Sequence, residues 1–143
     1  MNITYTEGTV ADVIEIDAAI PEFDNKNSKE KIEQRLAGKE ALILVALEDA
    51  KKVGYKLGYA LSDTEFYSWL GAVHPSYRGH GIAKQLLKQQ EAWVKNRGFK
   101  SIRVKSMNRF PAMLQLLISQ GYVICGYDDK GSPETSKIHF IKG

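Results

Sequence analysis

Residues 73–90 read VHPSYRGHGIAKQLLKQQ, and the order of residue types in that stretch governs how the rest of the chain is read. Val73, branched and apolar, is followed by Pro75, which cannot extend a strand ladder because it has no amide hydrogen. Gly79 and Gly81 then stand directly before a run in which Ile82, Leu86 and Leu87 recur at helical spacing. The stretch is a strand, a tight turn and the first turns of a long helix. A helix start leaves its first amide hydrogens unpaired and carries roughly half a positive charge, which suits an anion such as a phosphate. Gly79 and Gly81 lack the side chains that would hold a diphosphate away from those amides, and Arg78 adds a permanent charge.

Working outward, Glu65–Val73 (EFYSWLGAV) reads as the strand that feeds this helix and Ser101–Met107 (SIRVKSM) as the strand that follows it. The helix, from about Gly81 to Arg97, buries Ile82, Leu86, Leu87, Trp93 and Val94, and Gly98 ends it. Strand, helix and strand make one β-α-β unit. Upstream, Ala41–Leu47 (ALILVAL) has the composition of a buried strand. EDAKK, Glu48–Lys52, makes a polar turn, and Tyr55, Leu57 and Tyr59 alternate as in an antiparallel partner strand. Asn2–Thr6 predicts a short first strand, and Val10, Val13, Ile14, Ile16 and Ile20 predict a helix that buries one side. A cap at Asn27 or Ser28 and a stop at Gly38 predict a short polar second helix. Downstream, Pro111 opens a helix that Gly121 ends, and Tyr122–Tyr127 and Lys137–Lys142 are two last strands joined by the turn-rich Asp128–Ser136. The predicted order is β α α β β β α β α β β, an α/β chain without repeat or linker.

With 143 residues, 43% of them hydrophobic, the chain suffices for one compact domain spanning residues 1–143. Its 20 basic and 17 acidic residues are interspersed, and a net charge of +3 is too mild for a nucleic-acid partner. Cys125 is the only cysteine, which excludes an internal disulfide and a cysteine zinc site and fits a reducing compartment. The N-terminus has no charged region followed by an apolar core, and no segment reaches the ~20 apolar residues that span a bilayer. The expectation is a soluble, cytoplasmic protein with no metal, no nucleic acid and no membrane partner.

Phosphate motifs narrow the reading. A dinucleotide fingerprint requires a third glycine at position 84, where Lys84 stands, and no segment satisfies the P-loop pattern. The spacing Arg78-x-x-Gly81-x-Ala83 resembles the R/Q-x-x-G-x-G/A signature of the GNAT superfamily, N-acetyltransferases that use acetyl-coenzyme A (acetyl-CoA). The element order resembles that family over nearly the whole chain. MNRFPAMLQLLISQGYVICG, residues 107–126, looks like the family's region where a strand ends in Asn, a helix follows, and a Gly-aromatic pair opens the next strand. The fold implied is a mixed, mostly antiparallel twisted sheet flanked by helices.

The resemblance implies a set of site residues. Arg78, Gly79, His80, Gly81, Ile82 and Ala83 would hold the coenzyme's diphosphate through backbone amides, with no role for the His80 imidazole. The Val73 backbone would bond the pantetheine arm as a strand edge does, and the Gly71 amide would serve as a backbone oxyanion donor to the acetyl carbonyl. A plain mid-sheet strand is the competing reading of Gly71 and Val73. Asn108 would touch the pantetheine or, equally, cap the turn before Pro111. Some members place a glutamate base four residues before the glycine; here Tyr67 stands there as a candidate catalytic residue. Glu65, two residues away on the same face, would act through water or be an exposed strand-end charge. Leu117 occupies the position where many members carry a tyrosine acid, although a thiol with a reference pKa of ~8.5 leaves tolerably without one.

The implied reaction moves an acetyl group from acetyl-CoA to a primary amine of a small molecule or peptide, by direct attack in a ternary complex. Glu22 and Asp24, within IPEFDNK at residues 20–26, would suit a cationic acceptor. The substitutions at Tyr67 and Leu117 leave a second reading open, a CoA-binding sensor or interaction module with weak or no turnover. A homodimer is compatible with both.

Overall fold

A computed structural model describes residues 1–21 and 27–143. Among these residues the elements follow in the predicted order: β1 (Ile3–Glu7), α1 (Val10–Ala18), α2 (Lys29–Leu36), β2 (Ala41–Glu48), β3 (Lys51–Ala60), β4 (Glu65–Val73), α3 (Ile82–Asn96), β5 (Ser101–Ser106), α4 (Pro111–Ser119), β6 (Val123–Asp128) and β7 (Lys137–Lys142). The strands form one sheet in the order β1-β2-β3-β4-β5-β7-β6. All neighbours are antiparallel except β4 and β5, which are parallel. That parallel pair is the β-α-β unit, since α3 must carry the chain back before β5 can run alongside β4.

Local chemistry sets the element ends. The β2–β3 hairpin is tighter than the polar run Glu48–Lys52 suggested: pairing continues to Glu48 and Lys51, so Asp49 and Ala50 alone make the turn. Asp49 takes a φ of 52° there, a left-handed conformation that its short polar side chain tolerates. Thr9 and Asp12 close a reciprocal capping box at the start of α1, with the Thr9 amide donating to Asp12 Oδ2 at 2.8 Å. Lys52 Nζ reaches Asp12 Oδ1 at 2.7 Å, and this bond holds the Asp12 carboxyl below its ordinary value. Thr9→Ala removes the hydroxyl that accepts from the Asp12 amide beside the Thr9 carbonyl, and urea denaturation is expected to show a loss of ~1 kcal/mol.

Both faces of the sheet are covered. α1 and α2 lie over Val45, Tyr55 and Leu57 on one face. α3 and α4 lie over Leu42, Leu44, Val53, Phe66 and Val104 on the other. β3, in the middle, is buried continuously from Val53 to Tyr59. α3 presents Ile82, Leu86, Leu87 and Val94 to the sheet as expected, together with Gln90, which its polarity disguised. Trp93 departs from expectation: it is only half-buried, with the Arg97 guanidinium 4.6 Å from its ring centre. Phe66 is fully buried, its ring 5.6 Å from that of Trp93 and 5.5 Å from that of Phe99. It fills space on β3 that a side chain at Gly58 would otherwise take.

Candidate functional site

Two local features build the site. β3 and β4 pair Leu57 with Leu70 but Gly58 with Ser68, so Trp69 is one residue too many on β4. Such a bulge bends its strand and increases the local twist. The pairing of β4 with β5 runs from Glu65 to Ser68 and ends where the bulge begins. Beyond it, Leu70–Val73 stay tied to β3 on one side, while among the described residues no strand pairs with their other edge. The two parallel strands part like a wedge, and a cleft of ≈ 930 Å³ lies between them.

The cleft extends to the start of α3. Gly81 caps that helix with a φ of 78°, and Gly79 has a φ of 81°. Only glycine takes such conformations cheaply. Among the described residues no side chain caps α3, and none lies within 4 Å of the point a Cβ would occupy at either glycine. Among the described residues, no acceptor is bonded to the backbone amides from Gly79 to Ala83. This is the positive end of a helix of 15 residues. Arg78 Nε donates to the Val73 carbonyl at 3.3 Å, drawing the turn together, and His74 Nδ1 accepts from the Ser76 amide at 3.1 Å within it.

Gly71, Val73, Arg78, Gly79, Gly81, Ile82 and Ala83 all line the cleft, whereas the His80 side chain is exposed and does not. Asn108 does not line it either: its amide donates to the Pro133 carbonyl at 3.1 Å, tying the β6–β7 connection to the end of β5. Glu65 stands at the opposite end of β4, opposite Ser101. Its Oε2 accepts from Arg103 Nε at 2.7 Å and from Ser101 Oγ at 3.3 Å. The Arg103 hydrogen bond holds the carboxyl below its ordinary range. At ~3.3 Å per residue the strand puts Glu65 ~20 Å from Gly71, too far for one water to link them. Tyr67 packs edge-on against Tyr59, rings 5.6 Å apart, and burial pushes its hydroxyl up to about 12, which makes it no base at neutral pH. It lines a second hollow of ≈ 380 Å³ with Arg35, Arg103, Lys105 and His139. Glu22 and Asp24 lie outside the described residues.

Lys56 is the residue the sequence reading missed. It is paired with Gly71 across β3 and β4, and its Nζ stands 3.3 Å from where a Gly71 Cβ would be. The residue is 6% exposed yet lines the cleft. Burial pulls its ammonium down to about 8, against a smaller upward pull from Glu91. Ser68 Oγ, also in the cleft wall, is buried with no hydrogen-bond partner among the described residues. The only available signal was a lysine set among apolar neighbours in VGYKLGYA, residues 53–60. Across the cleft, Leu117 is fully buried in the core while Met113 and Leu116 form the wall, so this side is apolar. Among the described residues no group of three or more His, Cys, Asp or Glu gathers to hold a metal ion, and no helix is long and apolar enough to cross a membrane.

The model of the Acetyltransferase (GNAT) family matches residues 11–117, and the chain belongs to that family. Solved structures share the fold. The ribosomal-protein-S18-alanine N-acetyltransferase from Escherichia coli superposes with a TM-score of 0.84 at 17% identity, over 98% of this chain and 92% of that one. Ard1 from Thermoplasma volcanium gives 0.84 at 17%, over 98% and 96%. A GNAT family acetyltransferase from Elizabethkingia anophelis, solved with acetyl-CoA bound, gives 0.74 at 22%, over 98% and 97%. At these identities the likeness shows the fold alone. No curated protein sequence matches the chain.

Proposed function

We propose that residues 1–143 act as one domain that transfers an acetyl group from acetyl-CoA to a primary amine of a small molecule or peptide, by direct attack in a ternary complex. The observation that carries this reading is the β4 edge released beyond Ser68, leading straight to a helix start that no side chain of the described residues caps. The relative solved with acetyl-CoA supports the choice of donor. The S18-alanine acetyltransferase, by its name an enzyme of amino groups, supports an amine acceptor. A lone exposed thiol at Cys125 is consistent with a reducing, cytoplasmic setting.

Acetyl-CoA supplies the thioester, and the chain does the rest. The amides from Gly79 to Ala83, with Arg78, seat the diphosphate. The fit is steric as well as electrostatic, because neither glycine carries a Cβ into the space that the described residues leave open beside those amides. The open edge from Trp69 to Val73 receives the pantetheine arm as a sheet edge receives a strand, through main-chain hydrogen bonds that include Val73. The Gly71 amide is the oxyanion donor. Met113 and Leu116 keep water from the far wall.

That apolar wall, with no hydroxyl where an acid would stand, favours a second reading, a CoA-binding module without turnover. Incubation with acetyl-CoA and a panel of amines, following free thiol, separates the two. Saturable thiol release with at least one amine is expected. Saturable binding with no release for any acceptor assigns the module, and absence of binding overturns both.

A further inference from the structure

We propose that Lys56 is a catalytic residue that gives its ammonium proton to the departing coenzyme A sulfur, an assignment that rests on the acetyl-transfer reading above. The placement comes first. In an antiparallel pair, residues directly opposite one another share a face, so Lys56 and Gly71 project to the same side of the sheet, as do Gly58 and Ser68. That side faces α3, since a Cβ at Gly54, two residues before Lys56, would meet Ile82 and Leu86. Lys56 therefore reaches the cleft beside the backbone that faces the thioester, from the same side as the seat for the diphosphate.

Among the described residues no ion pair explains a lysine there. An ammonium taken from water is costly unless it is paired, and no carboxylate lies within ion-pair distance of Lys56 among the described residues. Glu91, on α3, is the ionisable group whose charge reaches it. The Glu91 Oε2 is already shared by the Tyr122 hydroxyl at 2.8 Å and Lys142 Nζ at 3.2 Å. The other charged groups in the cleft wall are the cations Arg78, Lys84, Lys105, Arg109 and Lys137, and Asp17 on the α1 side, which accepts from the Tyr55 hydroxyl at 2.8 Å. β4 contributes only neutral groups to this face, Ser68 and Gly71. Gln90 of α3 is buried with neither amide atom bonded among the described residues.

The chemistry fits the position. An ammonium brought down to about 8 is close to a thiol of ~8.5, so proton transfer between them is nearly balanced in energy. In the step, the acceptor nitrogen uses its lone pair to form the C–N bond, and the C–S bond breaks with its pair going to sulfur. Lys56 supplies the proton that makes the free thiol. The surplus proton of the acceptor nitrogen goes to water, and Lys56 regains one from water before the next turnover. This fills the role that Leu117 leaves empty.

Two variants test the proposal. Lys56→Met keeps the length and loses the proton, and Lys56→Arg keeps a charge that it does not release. The first readout is the ultraviolet absorbance of the thiolate of free CoA bound to each protein, titrated with pH. In the wild type the ammonium should draw the bound thiol's ionisation to lower pH; Lys56→Met should weaken that ionisation by about tenfold, and Lys56→Arg should preserve it. The second is turnover: kcat should fall ~100-fold in both variants with KM for acetyl-CoA unchanged. The decline in wild-type rate as pH rises through about 8 should vanish in both. Protection against melting by CoA confirms that each variant is folded. Equal thiol ionisation in wild type and Lys56→Met, or full kcat in Lys56→Arg, overturns the assignment. So does an acetyl adduct on the wild-type chain that Lys56→Arg lacks, because it would make Lys56 an acceptor. Loss of CoA protection from the wild type itself overturns the acetyl-transfer reading and this assignment with it.

Discussion

Gly81→Glu is expected to abolish the rise in melting temperature that acetyl-CoA gives the wild-type protein, while the unliganded melting temperature falls by only ~4–8 °C. Position 81 has a φ of 78° and open space around it. A non-glycine residue there costs ~1–2 kcal/mol in backbone strain without a clash, or ~4 °C per kcal/mol for a chain of this size. The ligand side is much more sensitive. At a hundredfold excess over Kd, binding stabilises the folded state by ~2.7 kcal/mol, and a carboxylate in the diphosphate seat opposes that binding by charge and by volume. Thermal melts with and without acetyl-CoA measure both effects, and Gly81→Ala, which carries the strain without the charge, separates them. A Gly81→Glu protein still protected like the wild type would place the diphosphate elsewhere.

Phe66→Ala is expected to lower the unfolding free energy by ~3–5 kcal/mol, a large share of the ~5–15 kcal/mol typical of a domain. The ring is fully buried between Trp93 and Phe99 and lies over Gly58. It therefore leaves a cavity walled by groups that cannot all collapse inward. Phe66 also sits in the short segment where β4 still holds β5, opposite Ile102, so the loss falls on the closed end of the wedge. Urea denaturation should show a lower midpoint with an unchanged slope. An unchanged midpoint would mean that this aromatic cluster does not anchor α3 to the sheet.

Part of the site was legible because its chemistry is local. Pro75, Gly79 and Gly81 each act on their own backbone, so the strand end, the turn and the bare helix start could be read from one short stretch, within a residue of where α3 begins. What was not legible depends on partners distant in the chain. Alternation placed Glu65 on a face, but its bond to Arg103 comes from the neighbouring strand. The Asn108 amide is taken by Pro133, 25 residues away. Lys56 alternates with Tyr55 and Leu57, which in a hairpin wet on one side would put it in solvent; only helices on both faces make it a buried amine. The bulge at Trp69 is a relation between two strands, and no property of the tryptophan announces it.

That surplus residue has an evolutionary corollary. The gap between the strands is produced by arithmetic, one unit more on β4 than on the strand it borders, and arithmetic survives substitution where a catalytic side chain would not. Replacing Trp69 would leave that count, and the doorway with it, as they are, whereas losing or gaining one residue at that point would close it.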